Sequence, residues 1–259
     1  MPLQPTPLKL GITTEQADAI TANTAKLGVT GTPPGEMQYW DGTAWVVVPP
    51  GTEGQGLSFC GGVLPGGGCS ISDVTNPTTG KTWMDKNLGA SQAATSSTDA
   101  AAYGDLYQWG RGTDGHQIRT SGTTAALSDT DTPGHGDFIT VGSAPYDWRS
   151  PQNDNLWQGV NGVNNPCPAG YRIPTETELD AERLIWSSNN AAGAFGSPLK
   201  LPLAGYRSPD GSVGGSTCFY WSYTVSGTTS RLLYFSSNAD AGMFSGYRAY
   251  GYSVRCIKD

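Results

Sequence analysis

RIPTETELDAERLIWSS, residues 172–188, is the stretch of sequence that decides the class of fold. Thr175 is placed to be the N-cap of a helix, and Glu178, three residues later, completes a capping box. The apolar residues that would form the buried side of this helix are Leu179, Leu184, Ile185 and Trp186. The stretch therefore predicts an α-helix that packs against a core on one side.

The segments on either side of this helix are short and separated by glycine and serine. KTWMDKNLG (81–89) predicts a strand and a turn, TDAAAYGDLYQWGRG (98–112) predicts a helix beginning near Asp99, and residues 113–165 predict long loops. Four strand-like runs follow later in the chain: LPLAGYR (201–207), CFYWSYTV (218–225), SRLLYFSS (230–237) and YGYSVRCIKD (250–259). Early helices and late strands predict an α+β fold.

Residues 1–56 have the features of an appendage to a main domain that runs from residue 57 to 259. TTEQADAITANTAKL (13–27) predicts a short helix, and QYWDGTAWVVV (38–48) predicts a β-hairpin around its Asp-Gly pair. PPGTEGQG (49–56) is typical of a linker. Because a lone hairpin is only marginally stable in water, we expect this region to pack on the main domain or to form a homo-oligomer.

Composition and charge exclude several classes of function. The 259 residues carry a net charge of −7, and the 15 lysines and arginines form no basic stripe, so nucleic acid is not expected as a partner. No apolar run is long enough to insert in a membrane. MPLQPTPLKLGITTEQ lacks the apolar core of a signal peptide. We expect an extracellular, cell-surface or virion-surface location, reached after removal of an export signal or by another route such as a virus particle.

Five cysteines leave at least one thiol free or intermolecular. Cys60 and Cys69 flank the flexible stretch GGVLPGGG, which could close on itself. The chain has no C-x-x-C pair, which disfavours a zinc ribbon or a thioredoxin-like site. We therefore predict neither a metal site nor a cofactor.

Five strings together resemble the Fibrobacter-type major paralogous (FISUMP) domain: TWMDKNLGAS (82–91), YGDLYQWGRGTDGHQ (103–117), NPCPAGYRIPTETEL (165–179), FYWSYT (219–224) and YGYSVRCIKD (250–259). That family is related to the formylglycine-generating-enzyme type of C-type lectin-like fold. The resemblance covers the chain from about Gly56 onward. PGEMQYWDGTAWVVV also resembles a module found ahead of such domains in bacterial surface proteins and phage-like proteins.

The resemblance implies two helices that flank a small twisted antiparallel sheet with long loops, and terminal strands that lie close together. It also implies a Cys167–Cys256 disulfide, with Cys60–Cys69 as a second pair and Cys218 left over. A disulfide that closes a loop of this length would stabilise the fold by about 4–5 kcal/mol in the chain-entropy model.

Residues 218–252 contain ten of the 26 aromatic residues and six of the 12 tyrosines, set among serine and glycine. This composition is typical of an antibody-like binding surface. We assign Tyr220, Trp221, Phe235, Val254 and Ile257 to core packing, the usual role of strand aromatics. The predicted ligand contacts are Phe219, Tyr223, Tyr234, Asp240, Phe244, Ser245, Tyr247, Arg248, Tyr250 and Tyr252.

The same segment is similar to the variable proteins of diversity-generating retroelements, some of which are lectin-like domains. In those systems AAY codons become NNY codons in a C-terminal variable segment, here residues 216–252. We expect variation at all the predicted contacts except Arg248, and also at Cys218, Gly242 and Gly246, and all of these positions hold NNY-compatible residues. Cys218 would then be a chance product of diversification.

We therefore predict a non-enzymatic protein that displays a diversified, tyrosine-rich face to a macromolecular ligand, protein or glycan. One alternative is an invariant bacterial surface adhesion or structural domain. A second is a formylglycine-generating-type metal-dependent oxidase, which would use Cys218 and Cys256. SDTDTPGHGDF (128–138) departs from the EF-hand pattern, and no nucleophile motif accompanies His116 or His135.

Overall fold

The computed structural model describes Met37–Trp40, Trp45–Val48, and residues 72–215 and 217–259. The chain divides into two compact units, Met1–Phe59 and Cys60–Asp259. The predicted helix at 13–27, the linker at 49–56 and the Cys60–Cys69 pair lie outside the described residues. None of the described helices is long and apolar enough to cross a membrane.

In the first unit, β1 (Met37–Trp40) and β2 (Trp45–Val48) form an antiparallel hairpin. The register places Trp40 opposite Trp45 and Met37 opposite Val48. The predicted β-hairpin is therefore confirmed.

The second unit is held at its base by a sheet in which the last strand lies between earlier ones. Its strands are ordered β3 (Asp73–Thr75), β4 (Thr82–Met84), β15 (Ile257–Lys258) and β8 (Tyr171–Arg172). Ile257 pairs with Trp83 on one side and with Arg172 on the other. The first and last described strands of this unit, β3 and β15, therefore lie in one sheet with β4 between them, close together as the resemblance implied.

A disulfide joins Cys167 and Cys256 beside this sheet, and their Cα atoms are 5.9 Å apart. The bond closes a separation of 89 residues, and it confirms the predicted pairing. Cys218 is a free, buried cysteine.

Two further sheets and a strand pair complete the unit. One sheet contains β10 (Val213–Gly214), β9 (Tyr206–Arg207), β14 (Gly251–Tyr252) and β5 (Tyr107–Gln108), in that order. The other contains β11 (Thr217–Ser226), β12 (Thr229–Ser236) and β13 (Gly242–Tyr247) as an antiparallel meander. A parallel pair joins β6 (Thr123–Thr124) to β7 (Phe138–Ile139). Short strands, two helices and long loops make the fold α+β.

Helix α1 (Glu176–Leu184) begins as the sequence predicts. Thr175 is its N-cap, and the reciprocal bonds with Glu178 form the capping box. Leu179 is buried, but Leu184 is 67 % exposed, so its assignment to the buried side was wrong. Its place in the core is taken by Glu182, whose carboxylate accepts a hydrogen bond from Trp83 Nε1 at 3.1 Å.

The predicted helix at 98–112 is wrong. The segment contains one turn of 3-10 helix, Ala100–Ala102, capped by Asp99, and then runs into β5. Gly104 breaks the helix, because it adopts a φ of +66° and a Cβ at this position would lie 2.4 Å from the Leu88 carbonyl oxygen. A second helix, α2 (Ala191–Gly196), occurs instead after the N-cap Asn190.

The β11–β12–β13 sheet has a different core on each of its faces. Both helices contact this sheet, and Leu179 and Ala194 lie in the same buried cluster as Cys218, Leu233 and Phe235. The second cluster contains Trp221, Leu232 and Tyr252 together with the tryptophans of residues 107–157. The helices therefore occupy one face of the sheet, and loops fill the other.

A buried polar network around His116 fixes the loop after β5. His116 Nε2 accepts a hydrogen bond from the backbone N–H of Gln108 at 3.0 Å, so Nδ1 carries the proton and donates to Asp114 at 2.6 Å. Arg111 also binds Asp114, at 2.7 Å. Burial, opposed by Asp114 and reinforced by the charges of Arg111 and Arg207, lowers the pKa of His116 to about 4. His116 is a neutral structural group.

This network predicts acid-induced destabilisation. The unfolded chain takes up a proton at His116 near its ordinary pKa of about 6.5, whereas the folded protein takes it up near 4, so stability falls as the pH decreases between these values. At about 1.4 kcal/mol per pKa unit, the loss is about 3 kcal/mol. We expect urea denaturation from pH 7 to pH 4 to show this decrease for the wild type and not for H116N. Parallel curves would contradict it; if H116N does not fold, NMR titration of the imidazole measures the pKa directly.

Candidate ligand-binding face

Strand alternation sorts the residues of the β11–β12–β13 sheet into two sets. Phe219 lies opposite Tyr234, and Leu232 lies opposite Phe244, so these four side chains are on the same face as Trp221. This is the face that the helices leave uncovered. Phe244 is 51 % exposed.

Aromatic rings form a continuous chain across this face. The ring centroids of Phe244 and Tyr234 are 5.5 Å apart, those of Tyr234 and Phe219 are 5.3 Å apart, and Phe219 lies 5.3 Å from Tyr206. Tyr206 lies 6.4 Å from Tyr250. Such spacings are those of favourable edge and offset contacts. These rings, with Tyr146 and Tyr247, are called the aromatic face below.

The aromatic face ends in an open depression of about 500 Å³, lined by Val141, Tyr146, Ser208, Pro209, Asp210, Tyr247 and Tyr250. The rings of Tyr146 and Tyr247 are 4.9 Å apart. The Tyr247 carbonyl accepts the N–H of Tyr250 at 3.1 Å, which holds the two tyrosines at one turn. Burial raises the pKa of the Tyr250 hydroxyl, with further contributions from Tyr206 and Asp210.

Arg248 is not a surface residue, and its predicted role in orienting a ligand is corrected. Its side chain is 1 % exposed and its guanidinium lies 4.4 Å from the centre of the Trp109 ring. It donates to Asp154 at 2.6 Å and lies 3.7 Å from Asp147. The guanidinium thus links the turn after β13 to the loop that contains Asp147 and Asp154, beneath the aromatic face.

Tyr252 is also buried, with 4 % exposure, which corrects its assignment as a direct contact. Its ring stacks on Phe219 at 4.6 Å and lies 4.5 Å from Trp221. Tyr252 is the support on which the aromatic face rests.

Three other predicted contacts lie elsewhere on the surface. Ser245 faces the helix side of the sheet, where Arg231 Nη1 donates to its hydroxyl at 2.8 Å. Asp240 lines a separate depression of about 430 Å³ together with Asn190. Tyr223 lies where the register of β11 shifts, and its N–H donates to the Pro174 carbonyl at 2.9 Å. The structure therefore unites Phe219, Tyr234, Phe244, Tyr247 and Tyr250, and separates these three from them.

Sequence reasoning missed two rings of the aromatic face, Tyr146 and Tyr206, and one residue of the depression at its end, Asp210. All three precede the predicted variable segment: Tyr146 lies in the predicted loops, Tyr206 in a predicted strand-like run, and Asp210 between two such runs. Pairing of β14 with β9 brings Tyr206 beside Tyr250. The hydrogen bond from Ala249 N–H to the Tyr146 carbonyl, 2.9 Å long, brings the loop that contains Tyr146 to the same place. No signal in the local sequence indicates these long-range pairings.

The cysteines of the oxidase hypothesis do not form a pair. Cys256 is bonded to Cys167, and Cys218 is fully buried against the helices. Burial raises the pKa of the Cys218 thiol to about 11, so it is protonated at neutral pH. Residues 72–215 and 217–259 contain no group of three potential metal ligands.

Comparisons with protein-family models, curated proteins and solved structures find no match for this chain. The class of fold therefore rests on the architecture described above.

The burial pattern predicts that two aromatic substitutions affect stability to very different extents. Y252A should reduce the free energy of unfolding by about 3–5 kcal/mol, because it opens a cavity under the aromatic face. F244S should change it by less than about 1 kcal/mol, because the ring is half exposed at a sheet edge. Urea unfolding of both variants checks this. Equal losses would mean that Phe244 belongs to the core.

Proposed function

We propose that this protein binds a macromolecular ligand, protein or glycan, through the aromatic face of a C-type lectin-like domain. One observation carries the proposal: the face is a continuous set of tyrosine and phenylalanine rings left uncovered by helices. Phe244 and Tyr247 are 51 % and 43 % exposed. Large, partly exposed aromatic patches are typical of interaction sites.

The chemistry of the face suits recognition. Each tyrosine offers a wide apolar ring and a hydroxyl that forms hydrogen bonds, with only two rotatable side-chain torsions to fix on binding. The predicted contacts that the structure brings together are all aromatic and uncharged, so little charge is desolvated when a ligand covers them. We therefore assign binding to burial of aromatic anchors.

The support beneath the face is separate from the face itself. Trp221 Nε1 donates to the Tyr107 carbonyl at 2.8 Å, and Trp109 Nε1 donates to the Ser222 carbonyl at 2.9 Å. These buried bonds fix β11 from below and involve none of the exposed rings. The exposed side chains can therefore change without disturbing the bonds that hold the strands.

Burial reduces the set of positions in the predicted variable segment at which we propose variation. Cys218 is fully buried, and a Cβ at Gly246 would lie 2.5 Å from Leu232 Cδ2. Both positions are poor candidates for diversification. We propose that variation is concentrated at Phe219, Tyr234, Phe244, Tyr247 and Tyr250, on an extracellular, cell-surface or virion-surface protein that oligomerises through its N-terminal region.

A binding comparison tests the assignment. The variant F244S/Y247S/Y250S should lose at least about 30-fold in affinity for a ligand found on an array of purified surface proteins and glycans, since anchor residues contribute 2 kcal/mol or more each. The matched control I118S/L127S/L184S removes three side chains that are 50 %, 47 % and 67 % exposed outside the face. Equal loss in both variants would contradict the assignment.

Sequencing tests the diversification. Across isolates and clones, we expect differences at the codons of the five positions proposed to vary. These differences should match adenines in a nearby near-copy of the segment. Codons for the buried residues Arg248 and Tyr252 should stay constant. Fixed codons at all these positions, with no near-copy, would favour an invariant adhesion or structural domain.

A further inference from the structure

We propose that the depression at the end of the aromatic face binds a cationic side chain, lysine or arginine, presented by a protein partner. The inference rests on the proposed function and names the chemistry of one part of that site. Three tyrosines, Tyr146, Tyr247 and Tyr250, and one carboxylate, Asp210, line the depression.

The tyrosines supply a surface that attracts positive charge. The face of an aromatic ring carries negative electrostatic potential and attracts a nearby cation, most strongly when the site is desolvated. The 4.9 Å ring separation of Tyr146 and Tyr247 places two rings at one wall, and Tyr250 is on the adjoining turn. A volume of about 500 Å³, open to solvent, admits the end of a long side chain.

Asp210 supplies an uncompensated negative charge. Its Oδ1 accepts hydrogen bonds from the N–H and the hydroxyl of Ser212, at 2.9 Å and 2.7 Å, and these bonds lower its pKa. It is therefore ionised at neutral pH. None of the described basic side chains forms a salt bridge with Asp210, and its Oδ2 accepts no hydrogen bond from them.

Two arginines adjoin residues of the depression in sequence, Arg207 beside Ser208 and Arg248 beside Tyr247, and both are engaged elsewhere. Arg207 donates to Ser121 Oγ at 2.7 Å and to the Gly211 carbonyl at 3.0 Å, and it stacks 4.3 Å from the centre of the Phe138 ring. Arg248 is buried against Asp154. Because none of the described basic side chains pairs with Asp210, we assign the cation to another molecule, and the net charge of −7 favours such a partner.

The backbone conformation of Tyr146 also supports a binding role for the depression. Tyr146 has a φ of +54°, a conformation that is uncommon for a residue with a bulky side chain and is concentrated at functional sites. The bond from Ala249 N–H to its carbonyl holds the residue there. This conformation keeps its ring against Tyr247, where it forms a wall of the depression.

Titration with side-chain probes tests the inference, using the full chain and NMR ring-current shifts of the probe. N-acetyl-lysine methylamide and N-acetyl-arginine methylamide should bind with Kd on the order of 1–10 mM. The neutral analogue N-acetyl-citrulline methylamide should bind at least about fivefold more weakly. D210N should weaken binding of the cations by about threefold to tenfold, whereas D129N, at an exposed site elsewhere, should leave it unchanged.

Three results would overturn the inference: equal binding of the arginine and citrulline probes, equal binding by D210N and the wild type, or tetramethylammonium binding more tightly than both side-chain probes. The last result would assign the depression to a free quaternary ammonium ligand. Failure here is separable from failure of the proposed function, because the F244S/Y247S/Y250S comparison measures the macromolecular ligand directly. If that variant loses binding while the cation probes fail, only the cation assignment falls.

Discussion

The fold depends on the return of the C-terminal strand to the base sheet. Ile257 lies opposite Trp83 in β4 and opposite Arg172 in β8, Met84 N–H donates to the Cys256 carbonyl at 3.0 Å, and Cys256 is bonded to Cys167. The chain between the two cysteines is therefore closed at both ends by covalent and ladder bonds. The segment between Cys167 and Cys256 contains both helices and most of the aromatic face. The positions of the helices and of the face therefore depend on the bonds that fix the two ends of this segment.

Arg255 fixes the same point from inside. It is fully buried and donates to Asn87 Oδ1 at 2.9 Å and to the Leu199 carbonyl at 2.7 Å. A buried cation is tolerated when its donors are satisfied, and its loss leaves several acceptors without partners. Burial lowers the pKa of Arg255, but a guanidinium starts from so high a value that it keeps its charge.

Buried tryptophans join the loops through hydrogen bonds to the backbone, as ladder hydrogen bonds join regular strands. Trp148 Nε1 donates to the Trp109 carbonyl at 2.7 Å, and Trp157 Nε1 donates to the Arg111 carbonyl at 3.1 Å. Each ring fills the core while its N–H satisfies a carbonyl of a distant segment. In this way the tryptophans join loop segments of residues 109–157 that have little regular secondary structure.

Local signals in the sequence predict local structure here, and long-range contacts decide the rest. The capping box of Thr175 and Glu178 identifies a helix because every partner lies within one turn. Arg248 is different, because its position among tyrosines favours a surface role while its actual partners, Asp147 and Asp154, are about a hundred residues away. Composition predicts that the face is aromatic, but it does not predict which residues form it, because Tyr146 and Tyr206 reach the face only through long-range backbone pairing.

The alternation of β13 limits how the face could evolve. Phe244 points to the aromatic face, whereas its neighbours Met243 and Ser245 point to the helix side, where Met243 packs on the core and Ser245 binds Arg231. A run of consecutive changes along the strand would therefore alter the packing as well as the face. Freedom to vary lies at alternate positions and at the turn that carries Tyr247 and Tyr250, which is where the rings gather.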